Sequence, residues 1–212
     1  MKPSRLPLIV SLSVLFLLCA CARPITVKDT PTVDNKPQDI TLNELLQRLG
    51  NVVTLTGIAE IELKTSAHTQ SGSASIVIDD AGFQLNIYSL GFLVSEFSQK
   101  DGLVYSSLSM ADSDKVIFAR VIRDGLVWWK LDGGIVQDYD DRIVLKTVER
   151  LIVIDKTTLR PIKQLLFLDE DNILSIKYNG TLWTDGIAYP SRIEATLGEY
   201  HLSIAFESIG FE

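Results

Sequence analysis

From Leu55 to Leu63 the chain alternates with a period of two. Leu55, Gly57, Ala59, Ile61 and Leu63 fall on one face, and Thr56, Glu60 and Glu62 fall on the other. That pattern specifies a strand with one dry and one wet side, the habit of antiparallel sheets. Similar strand patterns return at Ser73–Asp79, Phe83–Ile87, Phe92–Gln99 and Leu103–Tyr105, with Asp80-Ala81-Gly82 and Lys100-Asp101-Gly102 as turns between them. Parallel neighbours need a crossover of a dozen or more residues, usually a helix, and none separates these segments. The first half of the chain is therefore an antiparallel meander.

Two helices interrupt the strand pattern. Thr41-Leu42-Asn43-Glu44 has a threonine N-cap with a glutamate three residues later, and Leu42, Leu45, Leu46 and Leu49 follow at helical spacing until Gly50. Lys115 to Lys130 reads as a second helix, interrupted near Gly125. Strands resume at Arg142–Lys146, Glu149–Ile154, Ile162–Leu168, Ile173–Tyr178, Arg192–Thr196 and His201–Phe206. The expectation is a mainly β (α+β) domain. It would be a curved, unclosed antiparallel half-barrel of about ten strands covered by short helices.

The start of the chain has a different character. Lys2 and Arg5 precede an apolar run from Leu6 to Leu18, and Leu18-Cys19-Ala20-Cys21 follows. The run is about 13 residues, too short for the roughly 20 of a membrane span. It reads as a removable signal. A lipoprotein signal resembles leucine, two small residues and cysteine; Cys21, with Ala20 before it and Leu18 three before, fits where Cys19 does not. The expected layout is a signal peptide over residues 1–20, an acylated Cys21 with a tether to residue 39, and a folded domain over 40–212. Ala22 after the cysteine, by resemblance to enterobacterial sorting rules, points to the outer membrane. The tether carries Pro24, Pro31 and Pro37 and almost no large apolar residue. As a flexible coil it averages roughly 25 Å end to end, with a maximum near 60 Å.

Composition narrows the possibilities. Removing Lys2 and Arg5 takes the 20 basic side chains to 18 against 27 acidic ones, a net charge of about −9. Such a chain is a poor partner for nucleic acid, and its membrane attachment would come from acyl chains rather than charge. No cysteine beyond Cys21 survives processing, so no internal disulfide forms and the core alone must hold the fold. Only two histidines, His68 and His201, are present, with no metal-ligand spacing, nucleophile elbow or phosphate loop. Asp169-Glu170-Asp171 and Asp138, Asp140 and Asp141 read as solvated turns. Neither an enzyme nor a cofactor or metal is expected.

The apolar content exceeds what one half-wetted sheet consumes. Phe92, Phe97, Phe118, Trp128 and Trp129 are candidates to line a cleft between sheet and helices, with ordinary core the competing reading for each alone. The opening helix, Leu55-Thr56-Gly57-Ile58-Ala59, Ile87-Tyr88-Ser89-Leu90-Gly91-Phe92 and Ile154-Asp155-Lys156-Thr157-Thr158-Leu159-Arg160-Pro161 together resemble the LolA/LolB superfamily of periplasmic lipoprotein carriers and outer-membrane lipoprotein receptors. The resemblance runs from about Thr41 to Glu212, and the lipid anchor matches the receptor branch. It implies an unclosed half-barrel with an apolar cavity for acyl chains, lined by residues such as Phe97, Phe118, Trp128 and Trp129. It also implies lipoproteins, acyl chains and a periplasmic carrier as partners. In the receptors a Leu-Gly in a strand-connecting loop presents an apolar side chain that helps insert lipoproteins. Leu90-Gly91 matches it by position, extended by Phe92 and Leu93, with Ser89 rather than proline before the leucine. Two readings of the tip stay open, exposed or folded back into the core. Two functions stay open as well: an acyl-chain or lipoprotein receptor, and a non-catalytic assembly-factor lipoprotein that binds a protein partner.

Overall fold

The computed structural model describes residues 40–64, 69–108, 110–168 and 172–212. Cys21, the tether, His68 and Asp169-Glu170-Asp171 lie outside the described residues. The first element is helix α1 (Leu42–Gly50), opened by the expected capping box: Thr41 Oγ1 accepts from the Glu44 amide, and the Glu44 carboxylate accepts from the Thr41 amide. Its Leu45 and Leu49 are buried.

Five strands follow: β1 (Leu55–Lys64), β2 (Thr69–Ile78), β3 (Gly82–Ser89), β4 (Phe92–Lys100) and β5 (Leu103–Ser106). Helix α2 (Asp112–Leu126) comes next. The second run comprises β6 (Ile135–Asp138), β7 (Arg142–Lys146), β8 (Arg150–Asp155), β9 (Pro161–Phe167) and β10 (Ile173–Asn179). It continues through β11 (Leu182–Thr184), β12 (Ile187–Tyr189), β13 (Arg192–Leu197) and β14 (Tyr200–Phe211). Twelve of these strands form one antiparallel sheet in the order β5-β4-β3-β2-β1-β14-β13-β10-β9-β8-β7-β6, while β11 and β12 form a separate hairpin. The last strand pairs with the first, so the C-terminal segment closes the middle of the sheet and leaves β5 and β6 as free edges.

The expected half-barrel is present, with more strands than the sequence suggested. The short strand β6 escaped because all four of its residues are exposed and leave no alternation to read. The three-residue strands β11 and β12 are too brief for a period. A single core joins Phe83 and Phe97 at one side of the sheet to Ile143, Ile152 and Ile154 at the other, through both helices. An open sheet this wide buries both flanks in one core only by curling.

The second helix differs from expectation at both ends. It begins at Asp112, runs through Gly125 and stops at Leu126, so Trp128 and Trp129 lie beyond it. Gly125 is no break. A Cβ there would meet the Ile176 side chain at 3.2 Å, so glycine lets the helix settle close to β10. The helix's last carbonyls, which have no intrahelical partner, are taken up by other side chains. Gln164 Nε2 donates to Asp124 O, Tyr178 Oη to Gly125 O, and Tyr189 Oη to Leu126 O. Burial pushes both phenols upward, so they remain protonated donors. The segment Asn35–Glu212 is a compact unit in itself and contains this whole core.

Candidate functional site

Among the described residues, three two-residue hairpin loops have positive φ at their first residue and glycine at their second. Asp101-Gly102 joins β4 to β5 with φ of 51° and 81°, and Asp185-Gly186 joins β11 to β12 with 53° and 74°. Leu90-Gly91 joins β3 to β4 with 51° and 82°. Asp-Gly suits this turn, because a short polar side chain tolerates the left-handed region. A leucine in the same conformation is an outlier that costs on the order of 1 kcal/mol or more. The chain thus places its least suitable residue where two sister turns carry the favoured one.

The leucine also points into water. Leu90 is 97% exposed, Phe92 76% and Leu93 55%, and Val94 is exposed beside them. Of the two readings left open by the sequence, the structure adopts the exposed tip. A register shift after Ile87 helps form it: Ile87 pairs with Ser95 while Tyr88 pairs with Leu93, so Val94 is the extra residue of a β-bulge. Without the bulge, Leu93 would continue the inward phase of Phe97 and Ser95; with it, Leu93 lies opposite outward-phased Tyr88. Beneath the tip, Gly72 on β2 lets β3 pass close, since a Cβ there would lie 2.2 Å from Tyr88 O.

The interior presents a different picture. Phe97, Phe118, Trp128 and Trp129 are all buried members of the core. Trp128 and Trp129 meet edge to face at 5.8 Å, and Trp129 also packs on Tyr189 and Phe211. Phe118 borders a small cavity of about 10 Å³, shared with Ile117, Leu174, Ala195, Tyr200 and Leu202. That is room for roughly one water. The four side chains pack among other apolar residues of one core.

Sequence reading did not find the polar cluster at the end of α2. Asp124, 2% exposed, accepts from Arg150 Nη2 at 2.9 Å, Arg120 Nε at 3.3 Å and Arg123 Nε at 3.3 Å, and Arg120 also pairs with Glu149. Fully buried Gln164 accepts from Tyr178 at 2.6 Å, so one hydroxyl proton serves both Gln164 Oε1 and Gly125 O. Its members come from elements far apart in sequence, and no local motif announces it. Asp138 bonds Lys156, and His201 lies on β14 beside Thr196, neither within a converging group.

No family model matches the chain, and no curated protein matches it in sequence. Among solved structures it is similar to a LolA superfamily protein from Nitrosomonas europaea, at 10% identity and a TM-score of 0.49 over 80% of this chain and 93% of that one. It is also similar to a DUF1329 family protein from Desulfovibrio piger, at 11% identity and a TM-score of 0.45 over 81% and 90% of the two chains. No helix among the described residues is long and apolar enough to cross a membrane.

Proposed function

We propose that this chain is a non-catalytic lipoprotein of the cell envelope, acylated at Cys21 and held at the outer membrane, that engages acyl chains or lipoproteins through its apolar hairpin tip. The observation that carries the reading is Leu90, fully exposed in a left-handed turn that two sister hairpins fill with aspartate. A residue that costs stability both by conformation and by exposure marks a contact site. The sequence supports the anchor through Leu18-Cys19-Ala20-Cys21, and the tether gives the domain freedom to bring its tip to a lipid surface. Receipt or insertion of lipoproteins is the finer form of this reading.

The packed interior favours a second reading. Phe97, Phe118, Trp128 and Trp129 are packed in the core, and a tip that docks on a protein would serve an assembly factor equally well. Two measurements test the anchor and then separate these functions. Metabolic labelling with an alkyne fatty acid is expected to vanish in Cys21→Ser and persist in Cys19→Ser. A fluorescent fatty acid titrated into Asn35–Glu212 is expected to bind saturably and to be displaced by unlabelled lipid. Labelling that survives Cys21→Ser removes the anchor assignment, and a probe that never saturates leaves the protein-partner reading.

A further inference from the structure

The antiparallel order fixes which hairpins share an end of the sheet. Ser89 closes β3 at the end where β1 finishes and β14 begins, with Lys64 opposite His201. Following the pairing outward, Leu197 lies opposite Tyr200, Ser175 opposite Thr196 and Ile173 opposite Phe167. Arg150 then lies opposite Leu166, Lys146 opposite Leu151 and Ile135 opposite Lys146. The β3–β4 tip, the β7–β8 tip and the start of β6 therefore lie at one end. They sit toward opposite flanks of the open sheet, eight strand spacings apart, roughly 38 Å along its curve.

That second flank is also apolar and exposed. Val148, at the top of the β7–β8 turn, is 95% exposed, and Ile135 and Val136 on the free edge strand are 65% and 60% exposed. The turn beneath Val148 is well built. The Thr147 amide donates to Arg150 O, and Thr147 Oγ1 accepts from the Glu149 and Arg150 amides, so the valine is presented on a braced loop. At the opposite end the described turns carry Asp79 and Asp80, Asp101, Asp140 and Asp141. The tip end is not free of charge, since Glu149 follows Val148 and Glu199 sits in the β13–β14 turn, but its two flanks are where the exposed apolar turn residues Leu90 and Val148 lie.

We propose that Val148, with Ile135 and Val136, forms a second membrane-contact point, and that the domain rests on the bilayer on two apolar prongs. The inference rests on the reading that the Leu90 tip meets lipid. A bilayer is an occupant that reaches both flanks at once, and the tether's length permits it. Its extended reach, near 60 Å, exceeds the roughly 40 Å spanned by the 12-residue β14, so a lipid anchor leaves either end of the sheet free to face the membrane. A flat apolar surface also accepts two prongs separated by polar strands without needing a matching shape.

The segment Asn35–Glu212 contains no cysteine, so single-cysteine variants are clean. Leu90→Cys, Val148→Cys and Asp140→Cys would each be labelled with an environment-sensitive fluorophore. Each would be tethered through an N-terminal histidine tag to nickel-chelating lipid in phosphatidylcholine–phosphatidylethanolamine vesicles carrying a bilayer-buried quencher. Uncharged headgroups suit an acidic chain. Labels at positions 90 and 148 are expected to brighten severalfold and to be quenched from within the bilayer, while position 140 stays aqueous. Quenching at 90 with position 148 matching 140 overturns the second prong and leaves the tip reading intact. No quenching at either position overturns the tip reading itself. Brightening at 148 that grows with protein density and ignores the bilayer quencher overturns the proposal in favour of contact between copies of the chain.

Discussion

Trp128→Ala is expected to remove about 3–5 kcal/mol of folding stability, a loss at the top of the range for a buried truncation. Trp128 is the bulkiest of the fully buried side chains and lies just past the end of α2, edge to face with Trp129. Truncation forfeits the burial of an indole and leaves a void that pinned neighbours do not fill, because Tyr189 is tied to Leu126 O and Trp129 is wedged between Tyr189 and Phe211. For a domain of this size the melting temperature should fall by roughly 10 °C. Calorimetry of Asn35–Glu212 and its variant checks this. A loss under about 1 kcal/mol would mean that Trp128 borders free space rather than packed core.

The second large effect is expected at Asp124. Asp124→Ala removes the carboxylate that faces Arg120, Arg123 and Arg150, and should cost about 2–4 kcal/mol in denaturant unfolding. The value lies below that of a wholly interior pair because the guanidinium groups retain access to water, with side-chain exposures of 25%, 47% and 16%. Much of the loss is the penalty of leaving cations beside the core. Adding Arg150→Met to Asp124→Ala should therefore recover part of it. A double variant no more stable than Asp124→Ala alone would show that the loss does not come from stranded cations.

These two sites show where sequence reading stops. The alternation of Leu55 to Leu63 and the Thr41–Glu44 capping box act within a few residues of themselves, so strand β1 and helix α1 were legible. Trp128 and Trp129 looked like the continuation of a helix, because apolar residues at mixed spacing do not say where the last carbonyls find donors. Those donors are Gln164, Tyr178 and Tyr189, which lie between 40 and 63 residues away. The Leu90 tip was legible as a candidate and undecided in direction. Its exposure follows from a bulge at Val94 and a close strand approach at Gly72, neither of which has a sequence signature. Val148 gave no signal, since one valine between Thr147 and Glu149 resembles any turn.

The central claim is that Leu90 serves contact and not folding, and Leu90→Asp tests it most directly. Aspartate is what the chain itself uses in the same turn at Asp101 and Asp185. Two readings of one variant are needed: the melting temperature of Asn35–Glu212 and its partition onto phosphatidylcholine–phosphatidylethanolamine vesicles. The melting temperature should hold or rise, because a strained leucine is replaced by a residue suited to the left-handed region. Vesicle partition should fall by about tenfold or more, the equivalent of the roughly 1.5–3 kcal/mol that burying a leucine side chain contributes. A melting temperature lowered by several degrees, or a partition that does not change, would contradict the account.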